Sequence, residues 1–177
     1  AQVGKGRHLK KVMLDNDGRE WVFYVGGLTL YGSKHYLKGN YEYLVQQGKH
    51  LLLGTLHGKL MAYDTVNDRF TELAVPGGIR QINDMIALGN RQVLVATERG
   101  IAWVDMLSQK VTLRSVQTPE QPSPAVKKMF VDGRHRLWIF TESPGVQMFA
   151  KGMDTPRWMQ TPPTIDPSYT RSKTFFI

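Results

Sequence analysis

An all-β fold of about four repeated four-stranded antiparallel meanders is the architecture this sequence predicts, on three observations. The first is a recurring apolar triplet: Trp21-Val22-Phe23, Leu51-Leu52-Leu53, Val93-Leu94-Val95 and Trp138-Ile139-Phe140. The second is a turn glycine that follows each triplet, at Gly27, Gly58, Gly100 and Gly145. The third is spacing. Aligning Trp21, Leu52, Leu94 and Trp138 gives offsets of 31, 42 and 44 residues, in the range of a repeat architecture. No segment carries an amphipathic helix pattern longer than about two turns.

Each repeat is predicted to open on a strand: Lys11-Val12-Met13-Leu14, Tyr43-Leu44-Val45, the apolar run 82–88, and 126–131. A polar turn follows, as in Asp15-Asn16-Asp17-Gly18 and Asp132-Gly133-Arg134-His135, where Asp and Gly supply capping and positive φ. The triplet is the second strand, its β-branched and aromatic content favouring a strand buried on both faces. After the turn glycine comes an alternating third strand, Lys59-Leu60-Met61-Ala62-Tyr63 or Ile101-Ala102-Trp103-Val104. A more polar fourth strand ends the unit, Arg69-Phe70-Thr71-Glu72-Leu73 or Lys110-Val111-Thr112-Leu113.

A meander with apolar inner strands and a polar outer one is the blade of a β-propeller. A β-sandwich also spaces short strands with turns, but it does not repeat one triplet and one glycine in every fourth strand. Residues 1–177 are therefore read as one propeller unit, with approximate repeats at 8–42, 43–78, 79–120 and 121–160, and 161–177 as a linker and the start of a further blade. Two places fit poorly. Residues 32–40 are short of a clean outer turn, and the prolines of 154–163 read as a long loop over an outer edge. Propellers close with four to eight blades. The chain is therefore expected to be part of a larger ring or to self-associate as a homodimer.

Composition narrows the function classes. At 177 residues, 41% hydrophobic and 21% charged, the chain has the makings of a packed core. It has no cysteine, which excludes disulfides, thiolate metal sites and a cysteine nucleophile. No run reaches the roughly 18 apolar residues of a membrane span. The formal net charge of +8 is concentrated at Lys5–Lys11, Lys127-Lys128 and Arg134-His135-Arg136 and otherwise dispersed. That pattern reads as solvated turns more than as a nucleic-acid face, and no nucleic acid is expected to contact this segment.

The phrases Val12-Met13-Leu14-Asp15-Asn16-Asp17-Gly18-Arg19-Glu20-Trp21-Val22 and Met129-Phe130-Val131-Asp132-Gly133-Arg134-His135-Arg136-Leu137-Trp138-Ile139 resemble the two-component-regulator propeller repeat. Leu53-Gly54-Thr55 with Gly58 and Tyr63-Asp64 fits its later half, and the likeness spans about residues 8–153. Repeats two and three lack the Asp-Gly turn and the tryptophan. The resemblance implies the periplasmic sensor part of an inner-membrane hybrid histidine kinase and response regulator, with oligosaccharide ligands. It also implies no enzyme activity or cofactor in this segment, because the kinase would lie in another part of the protein. Alternatives are a protein-interaction scaffold and a propeller lyase or hydrolase.

Direct chemical signals are sparse. The five histidines, 8, 35, 50, 57 and 135, form no ligand-spaced pair, and His57, beside a hairpin glycine, is the first to check for metal. The pairs Asp15/Asp17 and Asp64/Asp68 sit in turns, where Asp caps the backbone. Trp21, Gly27, Leu52, Gly58, Leu94, Gly100, Trp138 and Gly145 are structural repeat positions. Trp158 is the aromatic expected to be exposed and able to stack on a sugar. Function is expected where the copies disagree, at 32–40, 74–81, 114–125 and 154–173.

Overall fold

The computed structural model describes residues 7–89, 91–150 and the backbone of 157–159. Apart from a short 3-10 turn at Pro76–Gly78, the regular structure consists of strands, arranged as four four-stranded antiparallel sheets. Blade 1 holds β1 (Leu9–Leu14), β2 (Glu20–Tyr24), β3 (Gly27–Leu30) and β4 (Tyr36–Lys38). Blade 2 holds β5 (Tyr41–Gln47), β6 (His50–Thr55), β7 (Leu60–Asp64) and β8 (Arg69–Glu72). Blade 3 holds β9 (Ile82–Gly89), β10 (Gln92–Thr97), β11 (Gly100–Asp105) and β12 (Val111–Arg114). Blade 4 holds β13 (Val126–Val131), β14 (Leu137–Thr141), β15 (Val146–Phe149) and β16 (Arg157–Met159). In every sheet the strands pair in chain order, so these are meanders of the propeller type.

Three apolar cores lie between successive sheets. Trp21, Phe23, Leu28, Leu51, Leu53 and Tyr63 fill the space between blades 1 and 2. Leu52, Leu60, Met85, Val93 and Val95 join blades 2 and 3, and Leu94, Ala96, Met129 and Ile139 join blades 3 and 4. Neighbouring residues of one strand thus serve different cores. Leu52 faces blade 3 while Leu51 and Leu53 face blade 1, the consequence of side chains alternating along a strand buried on both faces.

The structure corrects two expectations. The segment read as a loop over the outer edge contains β16, whose Arg157, Trp158 and Met159 pair with Met148, Gln147 and Val146. An edge strand makes its ladder on one side only, so three residues between prolines can supply it. In the irregular stretch 32–40, Tyr36–Lys38 pairs with β3 as a short outer strand. Lys11 and Lys127-Lys128 lie on the first strands of blades 1 and 4, as the strand pattern placed them, and Lys10 joins them there.

Candidate functional site

The first strand of each blade is innermost: β5 packs on β9, and β9 on β13. Each carries a bulge at the same register. The extra residue is Lys10 between Leu9 and Lys11, Glu42 between Tyr41 and Tyr43, Asn83 between Ile82 and Asp84, and Lys127 between Val126 and Lys128. A bulge leaves one residue out of the ladder and turns neighbouring groups aside. Here Lys10, Tyr43 and Asn83 turn toward the next blade and Glu42 turns back toward the preceding one.

At all three interfaces a side chain at or just after the bulge donates to the carbonyl that precedes the next bulge. Lys10 Nζ donates to Tyr41 O at 3.2 Å, Tyr43 Oη to Ile82 O at 3.0 Å, and Asn83 Nδ2 to Val126 O at 2.7 Å. Lys10 and Lys11 also pair with the Glu42 carboxylate, and Lys11 donates to Glu42 O at 2.6 Å. Asp84, buried, accepts from the Met129 amide at 3.0 Å. Burial lowers the affinity of Lys10 and Lys11 for their protons.

The bulges lie at one end of the blades, together with the inter-blade linkers and the turns between second and third strands. Hydrogen bonds tie these segments together. Gly39 N donates to Gly26 O, Leu56 N to Asn40 O, Ile82 N to Leu56 O, and Glu142 N to Ala125 O. The Glu98 carboxylate accepts the amides of Arg80 and Gln81 at 2.7 and 3.0 Å. Two turn glycines are required here. At Gly58, with φ 92°, a Cβ would stand 2.3 Å from Ile79 O, and at Gly100, with φ 122°, 2.2 Å from Arg114 O. The linker to the following blade is seated on the first turn, and the end of the blade's own outer strand on the second.

Thr55, Thr97 and Thr141 close their second strands with the hydroxyl accepting the amide of Lys59, Arg99 or Ser143. Besides Lys10, Lys11, Glu42, Asp84 and Glu98, the polar groups of this end include His57, Gln81, Gln117, Glu120 and Gln121. Residues 117–122 line a shallow concavity. Of the segments where the repeats disagree, 74–81 and 114–125 fall at this end, whereas 32–35 fall at the opposite one.

That opposite end is built for rigidity. Asp15 Oδ1 accepts the amides of Asp17 and Arg19 and Oδ2 accepts Arg19 Nε and Trp21 Nε1, at 2.7–3.0 Å. Asp132 takes the amides of Arg134 and Arg136, Arg136 Nε and Trp138 Nε1 in the same way, at 2.6–3.0 Å. Burial pushes both carboxyls up, but these donors outweigh it and hold both below the ordinary carboxylate range. Asp64 caps Val66 and Asn67. Asp68 accepts His35 Nε2 at 2.8 Å and Tyr63 Oη at 2.7 Å. The sequence-adjacent acid pairs are thus bound to turns and rings and not to each other.

Trp21, Leu52, Leu94 and Trp138 occupy one register, three residues past the bulge partner-wise, opposite Met13, Val45, Ile86 and Phe130. The first three are fully buried and Trp138 is half-buried. Gly27 pairs with Tyr24 beneath the Tyr36 ring, and Gly145 turns at φ 92°. Trp158 sits in β16 opposite Gln147, its side chain outside the described residues. His57 is exposed in its turn. Among the described residues no three His, Asp or Glu side chains converge as a metal-binding group. The bulges went unread in the sequence, although a polar residue beginning each first strand was visible at 10, 42, 83 and 127.

No protein-family model and no curated protein matches the chain. Solved structures do. The extracellular domain of a hybrid two-component system from B. thetaiotaomicron superposes with TM-score 0.56 at 16% identity, over 89% of this chain and 28% of that one. A second such domain from the same organism gives 0.58 at 13%, over 87% and 22%. Virginiamycin B lyase from Staphylococcus aureus gives 0.66 at 10%, over 94% and 59%. This chain spans about a quarter of the two extracellular domains. At these identities the likeness establishes the fold alone.

Proposed function

We propose that the chain is a ligand-sensing, extracytoplasmic propeller segment of a hybrid two-component receptor responding to oligosaccharides. The observation that carries this reading is the pair of Asp–Arg–Trp clusters. They give a physical reason for the Asp…Arg-x-Trp phrases at 15–21 and 132–138 that resemble the two-component-regulator repeat: one carboxylate ties the turn, the arginine and the indole together. The structural likeness to extracellular domains of hybrid two-component systems supports the same reading. No helix among the described residues is long and apolar enough to cross a membrane.

The ligand face in this proposal is the end bearing the bulges and linkers. Its amide and carboxylate side chains offer the paired donors and acceptors that sugar hydroxyls require. The rigid opposite end holds the blades in register. Titration calorimetry of the chain, and of the receptor ectodomain that carries it, against a panel of neutral and acidic oligosaccharides tests the proposal. Binding that weakens when 117–122 is replaced by Gly-Ser supports it. Absence of heat across the whole panel with the ectodomain overturns the sugar assignment.

A further inference from the structure

The far face of blade 4 repeats, position by position, the face that blade 1 turns to blade 2. Relative to the bulge, Lys127 and Lys128 stand where Lys10 and Lys11 stand, Phe130 where Met13 does, Trp138 where Trp21 does, and Asp132 and Arg136 where Asp15 and Arg19 do. Blades 2 and 3 lack this set: their bulge pairs are Glu42-Tyr43 and Asn83-Asp84, and Leu52 and Leu94 replace the tryptophan.

In blade 1 the lysines, Met13, Arg19 and Trp21 are all engaged by blade 2. Glu42 and the carbonyls of Tyr41 and Glu42 take the lysines. Tyr63 and Phe70, stacked at 4.5 Å, meet Trp21 edge-on at 5.2 and 6.2 Å. In blade 4 the equivalent groups lie more open. Phe130 is 50% exposed, and the Lys128 side chain is 64% exposed against 39% for Lys11, although its Nζ stands 3.8 Å from Asp84 of blade 3. Among the described residues no aromatic ring covers Trp138.

From this internal template we propose that the far face of blade 4 is a docking surface for a further β-meander of blade-2 type. Such a meander has an acidic residue at its inner-strand bulge and a stacked aromatic pair on the facing side. Charge complementarity and ring geometry both select it. The Lys127 ammonium, beside a Lys128 already near Asp84, calls for a carboxylate, and an indole edge calls for ring faces. Blade 3 offers no ring pair, because the positions of Tyr63 and Phe70 are Val104 and Val111 there; Asn83 stands where Glu42 does, and the blade's carboxylate, Asp84, is turned to the Met129 amide of the following blade.

The test extends the full chain, through a Gly-Ser linker after residue 177, with a second copy of residues 41–73. A control extends it with residues 82–114. Hydrogen exchange is followed in 126–131 and 137–141. The blade-2 extension is expected to slow exchange there about tenfold, a local stabilisation readable in the opening equilibrium, and the blade-3 extension is not. K127E, at an exposed position outside the Lys128–Asp84 pair, should abolish the protection, and changing Glu42 to Lys in the appended copy should restore it. Equal exchange in the two extended chains overturns the proposal, as does protection indifferent to the charge reversal. Protection of the unextended chain that rises with concentration, with a dimer by light scattering, would assign the surface to a second copy and also overturn it.

Discussion

The clusters Asp15–Arg19–Trp21 and Asp132–Arg136–Trp138 make the same five-residue turn and the same hydrogen bonds, yet they live in different surroundings. Trp21 is fully buried and Asp15 shows no exposed side chain. Trp138 is half-buried and Asp132 keeps 15% of its side-chain surface. The arginines record the difference. The Arg19 guanidinium reaches across to the Tyr63 ring of blade 2 at 5.9 Å, whereas that of Arg136 lies over its own Trp138 at 5.2 Å. Bonding in these clusters is local and follows from the phrase; burial comes from the neighbouring blade. The same residues therefore carry different energetic weight in the two places.

Truncating the tryptophans should widen this contrast most. Trp21→Ala removes a ring packed on Tyr63 and Phe70 and should cost about 3–5 kcal/mol in urea unfolding. Trp138→Ala should cost less than half as much. Equal losses would break the comparison by showing that the two sites are covered alike.

The acid response should invert the order. A carboxyl held low in the fold stabilises the protein above the ordinary carboxylate pKa of roughly 4, and that contribution drains away as pH falls through the lower folded value. Asp132 has the same donors as Asp15 with less burial opposing them, and it is held further down. Asp132→Asn should therefore remove more of the stability difference between pH 5.5 and pH 3 than Asp15→Asn does. A larger effect at Asp15 would mean that burial strengthens its bonds instead of opposing its charge.

The smallest effect belongs to the arginines. Lysine keeps the charge but loses the Nε contact and the flat guanidinium. Arg19→Lys, which also gives up Asp17 and Tyr63, should cost about 1 kcal/mol, and Arg136→Lys less. A double-mutant cycle with Tyr63→Leu should show coupling for Arg19 only.

Much of the fold could be read from residue types. Apolar triplets such as Leu51-Leu52-Leu53 announce a strand buried on both faces, and Asp15-Asn16-Asp17-Gly18 announces its turn, with Gly18 at φ 76°; in Asp132-Gly133-Arg134-His135 it is His135, at φ 57°, and not the glycine that takes the left-handed position. Where the Asp-Gly phrase is missing, the turns form by other means, with Gly48 at φ 62° and Arg91 at φ 66°. The candidate site was harder to see. A bulge belongs to the pairing of two strands, and no property of Lys10, Glu42, Asn83 or Lys127 alone announces it. Three residues at 157–159 likewise pair because an edge was open, which their flanking prolines conceal.

The carbonyls of Tyr41, Ile82 and Val126 have a consequence for how such a row of blades changes over generations. They are main-chain atoms, so no substitution deletes them, and each receives a different partner: lysine, tyrosine or asparagine. The socket is inherited with the backbone while the plug is free to drift among donors of suitable length. One half of each joint is thus immune to point mutation, so sequences can diverge widely around a constant assembly.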